Sequence, residues 1–112
     1  MSREVAGATP APRAKSERLF AITRRDLPVG LRTAQVGHAL IEWTLRFGKP
    51  PENLVVLAVD DEDKLESWLA MLADHDGKQL VAFHEPDLDD ELTAVACGPA
   101  YWRDLSSLPL LR

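Results

Sequence analysis

Side chains able to do chemistry gather in two stretches of the 112-residue chain, residues 23–41 (TRRDLPVGLRTAQVGHALI) and residues 84–99 (HEPDLDDELTAVACGP). The first places Arg24 and Arg25 at the end of an apolar run, Asp26 before a turn containing Pro28 and Gly30, and then Arg32, Gln35 and His38. Arginines at a strand terminus can reach phosphate without steric difficulty, or they can pair with acids elsewhere in the chain. Gly30, Leu31 and Arg32 would open a helix, whose free amides and positive dipole end bind a phosphate or an oxyanion. Arg32, as an arginine, can clamp phosphate but makes a poor proton shuttle. His38 could pass a proton, as imidazoles can near neutrality, or it could be a structural histidine with its ring satisfied. Asp26 either caps the helix and shapes the turn or positions a cation. Gln35 either orients a water or substrate or buries its amide against the end of a sheet.

In the second stretch Glu85 and Asp87 flank Pro86, so that a carboxylate from this loop could reach a site at the sheet's end. The alternative is a solvated acidic loop. Thr93 offers a hydroxyl donor or simply a good strand former. His84, Glu85, Asp87, Asp89 and Asp90 match no metal-ligand spacing, so no metal is expected. Ser106 and Ser107 lack a strand-to-helix elbow, and no phosphate-cradling glycine loop is present. Trp43, Trp68 and Trp102 are too far apart to read as a base-stacking platform.

The elements that must position these groups can be read from apolar runs and punctuation. Residues 1–16 have no hydrophobic period and read as a mobile tail. RLFAIT (residues 18–23) reads as an interior strand. Leu31, Ala34, His38, Ile41 and Leu45 form one helical stripe, and Thr33, Val36, Leu40, Thr44 and Phe47 a second, which predicts a heavily buried helix ending near Gly48 before Pro50 and Pro51. LVVLAV (residues 54–59) predicts a central strand buried on both faces. Acids at 60–63 then start a second helix, with Leu65, Trp68, Leu69 and Leu72 inward and a stop around His75 to Gly77. Residues 80–83 and 93–97 read as two further strands, the last ended by Gly98 and Pro99, with a helical turn over 101–105. The order β-α-β-α-β-β favours parallel early neighbours and a differently oriented last pair.

A chain of this length suits one domain. Apolar residues make up 46% and charged residues 28%, a globular balance. The single cysteine, Cys97, excludes an internal disulfide and any multi-thiolate site, and its apolar surroundings predict a buried inert thiol. No apolar run approaches the ~18–20 residues that cross a bilayer, and no signal-peptide core is visible, so no membrane partner and a cytoplasmic location are expected. The net charge is −5, but it is unevenly spread. Residues 1–50 hold nine Lys+Arg against four Asp+Glu, and residues 51–112 four against fourteen. A polyanion partner at the basic half is therefore compatible with the composition.

The series Arg24, Asp26, Leu27, Gly30, Ala34, Gln35, His38 and Ala39, with Thr93 inside TAVACGP, resembles the type 2 peptidyl-tRNA hydrolase family over nearly everything after residue 16. That family shows an apolar strand ending in R-x-D-L, a glycine-lysine pair and A-A-Q-x-x-H-A on the first helix. Near the C-terminus it has a D-A-G-R-T segment and a threonine strand closing in glycine-proline. The resemblance implies an α/β domain over residues 17–112, a mixed four-stranded sheet with helices on both faces, and frequent homodimers. It also implies cleavage of the ester joining a stalled peptide to tRNA, with peptidyl-tRNA or a related acylated RNA as partner and without a metal or organic cofactor. Carried onto this chain, it gives Arg24, Arg25 and Arg32 phosphate contacts and Gly30, Gln35 and Glu85 substrate contacts. His38 and Asp87 would manage the water and protons, Glu85 being the alternative carboxylate, while Thr93 orients the ester and Asp26 joins the catalytic group. Two departures stand out: Leu31 occupies the family's lysine position, and Glu85-Pro86-Asp87-Leu88 replaces D-A-G-R-T. They motivate a second expectation, a catalytically inactive binding or regulatory module of the same fold.

Overall fold

The apolar run at the start of the domain becomes β1 (Glu17–Arg24), the strand against which everything else is laid. A computed structural model describes residues 17–74, 79–101, 105 and 108–110. The expected tail over 1–16, the helix stop at 75–77 and most of the expected turn over 101–105 lie outside them. Pro28 turns the chain into α1 (Val29–Phe47), which ends at Gly48 with φ 95°, a left-handed conformation suited to glycine. β2 (Asn53–Val59) follows and pairs parallel to β1. Asp61 then caps α2 (Glu62–Ala73), its side chain accepting from the Lys64 N–H at 3.0 Å, with Glu62 and Asp63 at the positive end of the helix dipole. β3 (Gln79–Glu85), a 3-10 turn (Pro86–Leu88) and β4 (Glu91–Tyr101) complete the chain.

The strands form one mixed sheet in the order β2-β1-β4-β3, with β4 antiparallel to both neighbours. Helices cover both faces, so the expected α/β architecture is the one observed. On one face Phe20, Ile22, Leu57, Val95 and Cys97 pack with Leu65 and Leu72 of α2. On the other Leu19, Val81, Ala94 and Ala96 pack with Ala39 and Trp43 of α1. Small residues at 94 and 96 let α1 approach β4 closely, leaving room for the Trp43 indole, whose N–H donates to the Gln79 carbonyl at 2.9 Å. Cys97 is fully buried in the α2-side core.

Three expectations about the elements need correction. The LVVLAV strand is not central: β2 is an edge strand with Leu54 52% exposed. Its outer side is covered where the C-terminal segment bridges Leu57 through Leu110 and the Ala58 N–H donates to the Pro109 carbonyl at 3.0 Å. α1 is not buried on both stripes, because its inward residues are Gln35, Val36, Ala39 and Trp43. Ala34, His38, Ile41 and Leu45 face outward. Finally, β4 runs through Gly98 and Pro99 to Tyr101. A Cβ at Gly98 would lie 2.9 Å from the Arg18 carbonyl oxygen, so it is close strand approach that requires glycine there.

Candidate active site at one end of the sheet

The strand pairings put the ends of β1 and β3, the start of β4 and the N-terminus of α1 at one end of the sheet. The decisive local feature is a β-bulge. Phe83 pairs with Ala94 and His84 with Leu92, so Thr93 is the extra residue on β4. Strict alternation would send Thr93 to the α2 face along with Val95. Instead the bulge sets Thr93 beside Ala94 on the α1 face and Leu92 on the α2 face.

From that position a directed chain of hydrogen bonds crosses the core and surfaces. The Thr23 hydroxyl donates to the Thr93 carbonyl at 2.8 Å, and the Thr93 hydroxyl donates to Gln35 Oε1 at 2.6 Å. Gln35 Nε2 then donates to Glu85 Oε1 at 2.7 Å. Thr23, Gln35 and Thr93 are all buried, so each of these polar groups needs its partner. The Phe83 carbonyl lies 3.3 Å from the Thr93 hydroxyl, a weaker alternative for the same proton. Glu85 Oε2 accepts from the Asp87 N–H at 3.2 Å. The Gln35 amide, the Asp87 N–H and the nearby His38 charge hold the Glu85 carboxyl below its ordinary value, against a smaller opposing push from burial. His38 stacks on Phe83, ring centroids 4.9 Å apart and planes 10° from parallel, with the imidazole exposed.

A second cluster braces the bulge from behind. Arg24, 6% exposed, is bidentate to Asp26 at 2.9 and 2.8 Å. Its Nη1 donates to Glu91 Oε1 at 2.8 Å and to the Leu92 carbonyl at 3.1 Å. The Leu92 N–H donates to Glu62 Oε2 of α2 at 2.9 Å. Both backbone groups of the residue before Thr93 are thus tied to side chains from other elements. Arg24 holds the Asp26 carboxyl below its ordinary value, chiefly through the hydrogen bonds, and the Arg24 guanidinium is itself raised by Asp26 first and Glu91 next.

The residues singled out in the sequence therefore separate. Thr93, Gln35, Glu85 and His38 come together. Arg24 and Asp26 spend their polar groups on each other and on β4, so Asp26 does not cap α1, whose N-cap is Pro28 without a side-chain bond. Arg25 is exposed and meets Asp60 only at 3.9 Å. Arg32 is half-buried in the first turns of α1, and its Nε is buried without a hydrogen-bond partner. Gly30 is exposed at the start of that helix, with open space around its Cα. Asp87 points outward, contributing only its backbone N–H. Asp89 and Asp90, with φ of 54° and 60°, form the left-handed return into β4. Among the described residues no three His, Cys, Asp or Glu side chains converge as metal ligands, and no helix is long and apolar enough to cross a membrane.

Sequence reasoning passed over Thr23, Glu62 and Glu91. Glu62 and Glu91 carried only the signal of their places in acidic runs, and Thr23 carried none.

Comparison with known proteins returns no assignment. The chain matches no protein-family model and no curated protein at a significant level.

Proposed function

We propose that this protein is a hydrolase that cleaves the ester of peptidyl-tRNA or a related acylated RNA in the cytoplasm. The observation that carries the reading is the Thr93–Gln35–Glu85 chain, which delivers an oriented carboxylate to the surface close to an exposed histidine. Ester hydrolysis needs a positioned water, a proton acceptor, stabilisation of the tetrahedral oxyanion and a hold on the polyanionic leaving group. Glu85, kept ionised, orients the water as a hydrogen-bond acceptor. Its lowered basicity makes it a weak proton acceptor, and His38 takes that role. The free amides at the start of α1 face the developing oxyanion. Arg25 and Arg32 hold phosphate, and an anion there would satisfy the Arg32 Nε that the protein leaves unpaired. Glu85 thus takes the part that the family resemblance offered to either Glu85 or Asp87.

A second reading is a binding module without turnover. It is favoured by the internal engagement of Arg24 and by Leu31 at the family's lysine position. The test is release of free tRNA from an N-blocked aminoacyl-tRNA, with His38→Ala and Glu85→Gln variants checked for folding by circular dichroism. The hydrolase reading expects turnover by the parent and a loss of about 100-fold or more in each folded variant. Absence of turnover alongside RNA binding that weakens as salt rises selects the binding module.

A further inference from the structure

The bulge at Thr93 turns on the residue before it. Leu92 is buried, its N–H donating to Glu62 Oε2 at 2.9 Å and its carbonyl accepting from Arg24 Nη1 at 3.1 Å. A buried amide has to find an acceptor, and this one finds it on α2, the helix that covers the face of the sheet opposite Thr93 and Gln35. Asp61 caps that helix through the Lys64 N–H, which fixes where its first residue, Glu62, begins. Glu62 is half-buried, whereas its neighbour Asp63 in the same first turn is exposed. Both acids suit the positive end of the helix dipole, so the dipole accounts for their charge but not for the reach of Glu62 to β4.

We propose that Glu62 is a positioning residue for the site on the other face of the sheet: by holding the Leu92 amide it keeps the bulge in β4, and through Thr93 and Gln35 it sets the orientation of the Glu85 carboxylate. Each link is a directed contact. The bulge brings the Thr93 hydroxyl to Gln35 Oε1 at 2.6 Å, so the oxygen end of that amide is fixed toward the core and the nitrogen end toward Glu85, where Nε2 donates at 2.7 Å. A Leu92 N–H released by Glu62 would turn to water or to the β3 ladder, and either course moves the next residue away from Gln35. Full return to alternation would carry Thr93 to the α2 face. Without its hydroxyl partner the Gln35 amide is free to rotate, and its oxygen end repels the carboxylate that its nitrogen end holds. Arg24 cannot replace Glu62, because a guanidinium has no acceptor to offer the Leu92 N–H. The consequence for catalysis rests on the hydrolase reading, whereas the coupling across the sheet does not.

The test is carbon-13 NMR titration of the Glu85 side-chain carboxyl, identified by its loss in Glu85→Gln, on the full chain and on Glu62→Ala, Glu62→Gln and Asp63→Ala variants checked for folding by circular dichroism. In the parent this carboxyl should titrate below its ordinary value, held there chiefly by the Gln35 amide. In Glu62→Ala it should move up toward that value. Loss of a negative charge alone lowers a nearby carboxyl, so an upward movement has the sign of lost positioning. Glu62→Gln keeps an acceptor oxygen for the Leu92 N–H and should titrate as the parent does, and so should Asp63→Ala, which removes an acid from the same helix end. Glu62→Asp keeps the charge but shortens the reach. It should move Glu85 up by less, and it decides the matter if the alanine variant does not fold. A Glu85 carboxyl unmoved in the folded Ala or Asp variant, whatever the fall in its urea midpoint, overturns the proposal. So does an equal upward movement in Glu62→Gln or Asp63→Ala, or a parent whose Glu85 carboxyl titrates at its ordinary value. On N-blocked aminoacyl-tRNA, kcat of Glu62→Ala should fall about tenfold or more at little-changed KM. A parent without turnover removes the hydrolase reading and leaves the titration to judge this one.

Discussion

Glu85 and Asp26 are both carboxylates held below their ordinary values, but different neighbours hold them, and substitution should separate the two. The Gln35 side-chain amide is the largest influence on Glu85. Gln35→Leu should therefore raise the Glu85 carboxyl toward its ordinary 4.5, followed by carbon-13 NMR titration of the side-chain carboxyl. Replacing Thr93 with Val keeps the shape but removes the hydroxyl that the buried Gln35 oxygen accepts from. An unmet buried acceptor costs about 1–3 kcal/mol, which a shift of the urea midpoint at unchanged slope would report. For Asp26 the sign follows from the lowered value. The folded protein binds fewer protons at this site than the unfolded chain, so the stabilisation is whole above the ordinary value of 3.8 and is lost as pH falls through the lower folded one. Asp26→Asn should flatten the acid limb of the stability profile below a pH of about 4, read from urea midpoints at successive pH values.

The bulge at Thr93 is the element that makes a site out of ordinary strands. It is fixed by Thr23 from β1, by Arg24 on the Leu92 carbonyl and by Glu62 on the Leu92 amide. β1 and β4 must also lie close at Gly98, where an added Cβ would meet the Arg18 carbonyl at 2.9 Å and the Leu19 Cα at 3.2 Å. Gly98→Ala should push the two strands apart and destabilise the protein by about 1–3 kcal/mol, seen as a lowered Tm. The elements themselves were legible in the sequence because their apolar runs and the Pro28, Gly48 and Pro50 punctuation are strong. The facing of Thr93 was not, since one inserted residue inverts alternation without leaving a mark in residue type. The outward facing of His38 was hidden for a related reason. Its stripe with Ile41 and Leu45 is apolar, and periodicity reports that a stripe exists without reporting whether the chain's own sheet covers it. The LVVLAV run misled similarly, because cover supplied by Leu110 makes an edge strand read as a central one.

For the molecule as a whole, the uneven charge recorded in the sequence has a local resolution. Part of the acidic half is consumed at the site end, where Glu91 neutralises Arg24 and Asp60 lies near Arg25. Arg25 and Arg32 are left as the arginines available to a phosphate backbone there. Two such contacts predict a modest slope, with the logarithm of RNA affinity falling by about 2 per tenfold rise in salt, measured by fluorescence anisotropy with labelled tRNA. Arg25→Ala should reduce that slope by about one without changing the hydrogen-bond chain to Glu85.

β4 pairs on both sides, between β1 and β3, yet among the described strands it is the last to be synthesised. Until residue 101 has left the ribosome, β1 has one open side and β3 has no partner strand, and Thr93, Arg24 and Gln35 have nowhere to converge. The nascent chain therefore carries β1 open on one side from its synthesis onward, and β3 unpaired until β4 emerges, a state in which long-range pairing is slow and aggregation is a hazard. A chain released at Asp90 should accordingly be unfolded by circular dichroism and recover its structure when residues 91–112 are supplied as a separate peptide.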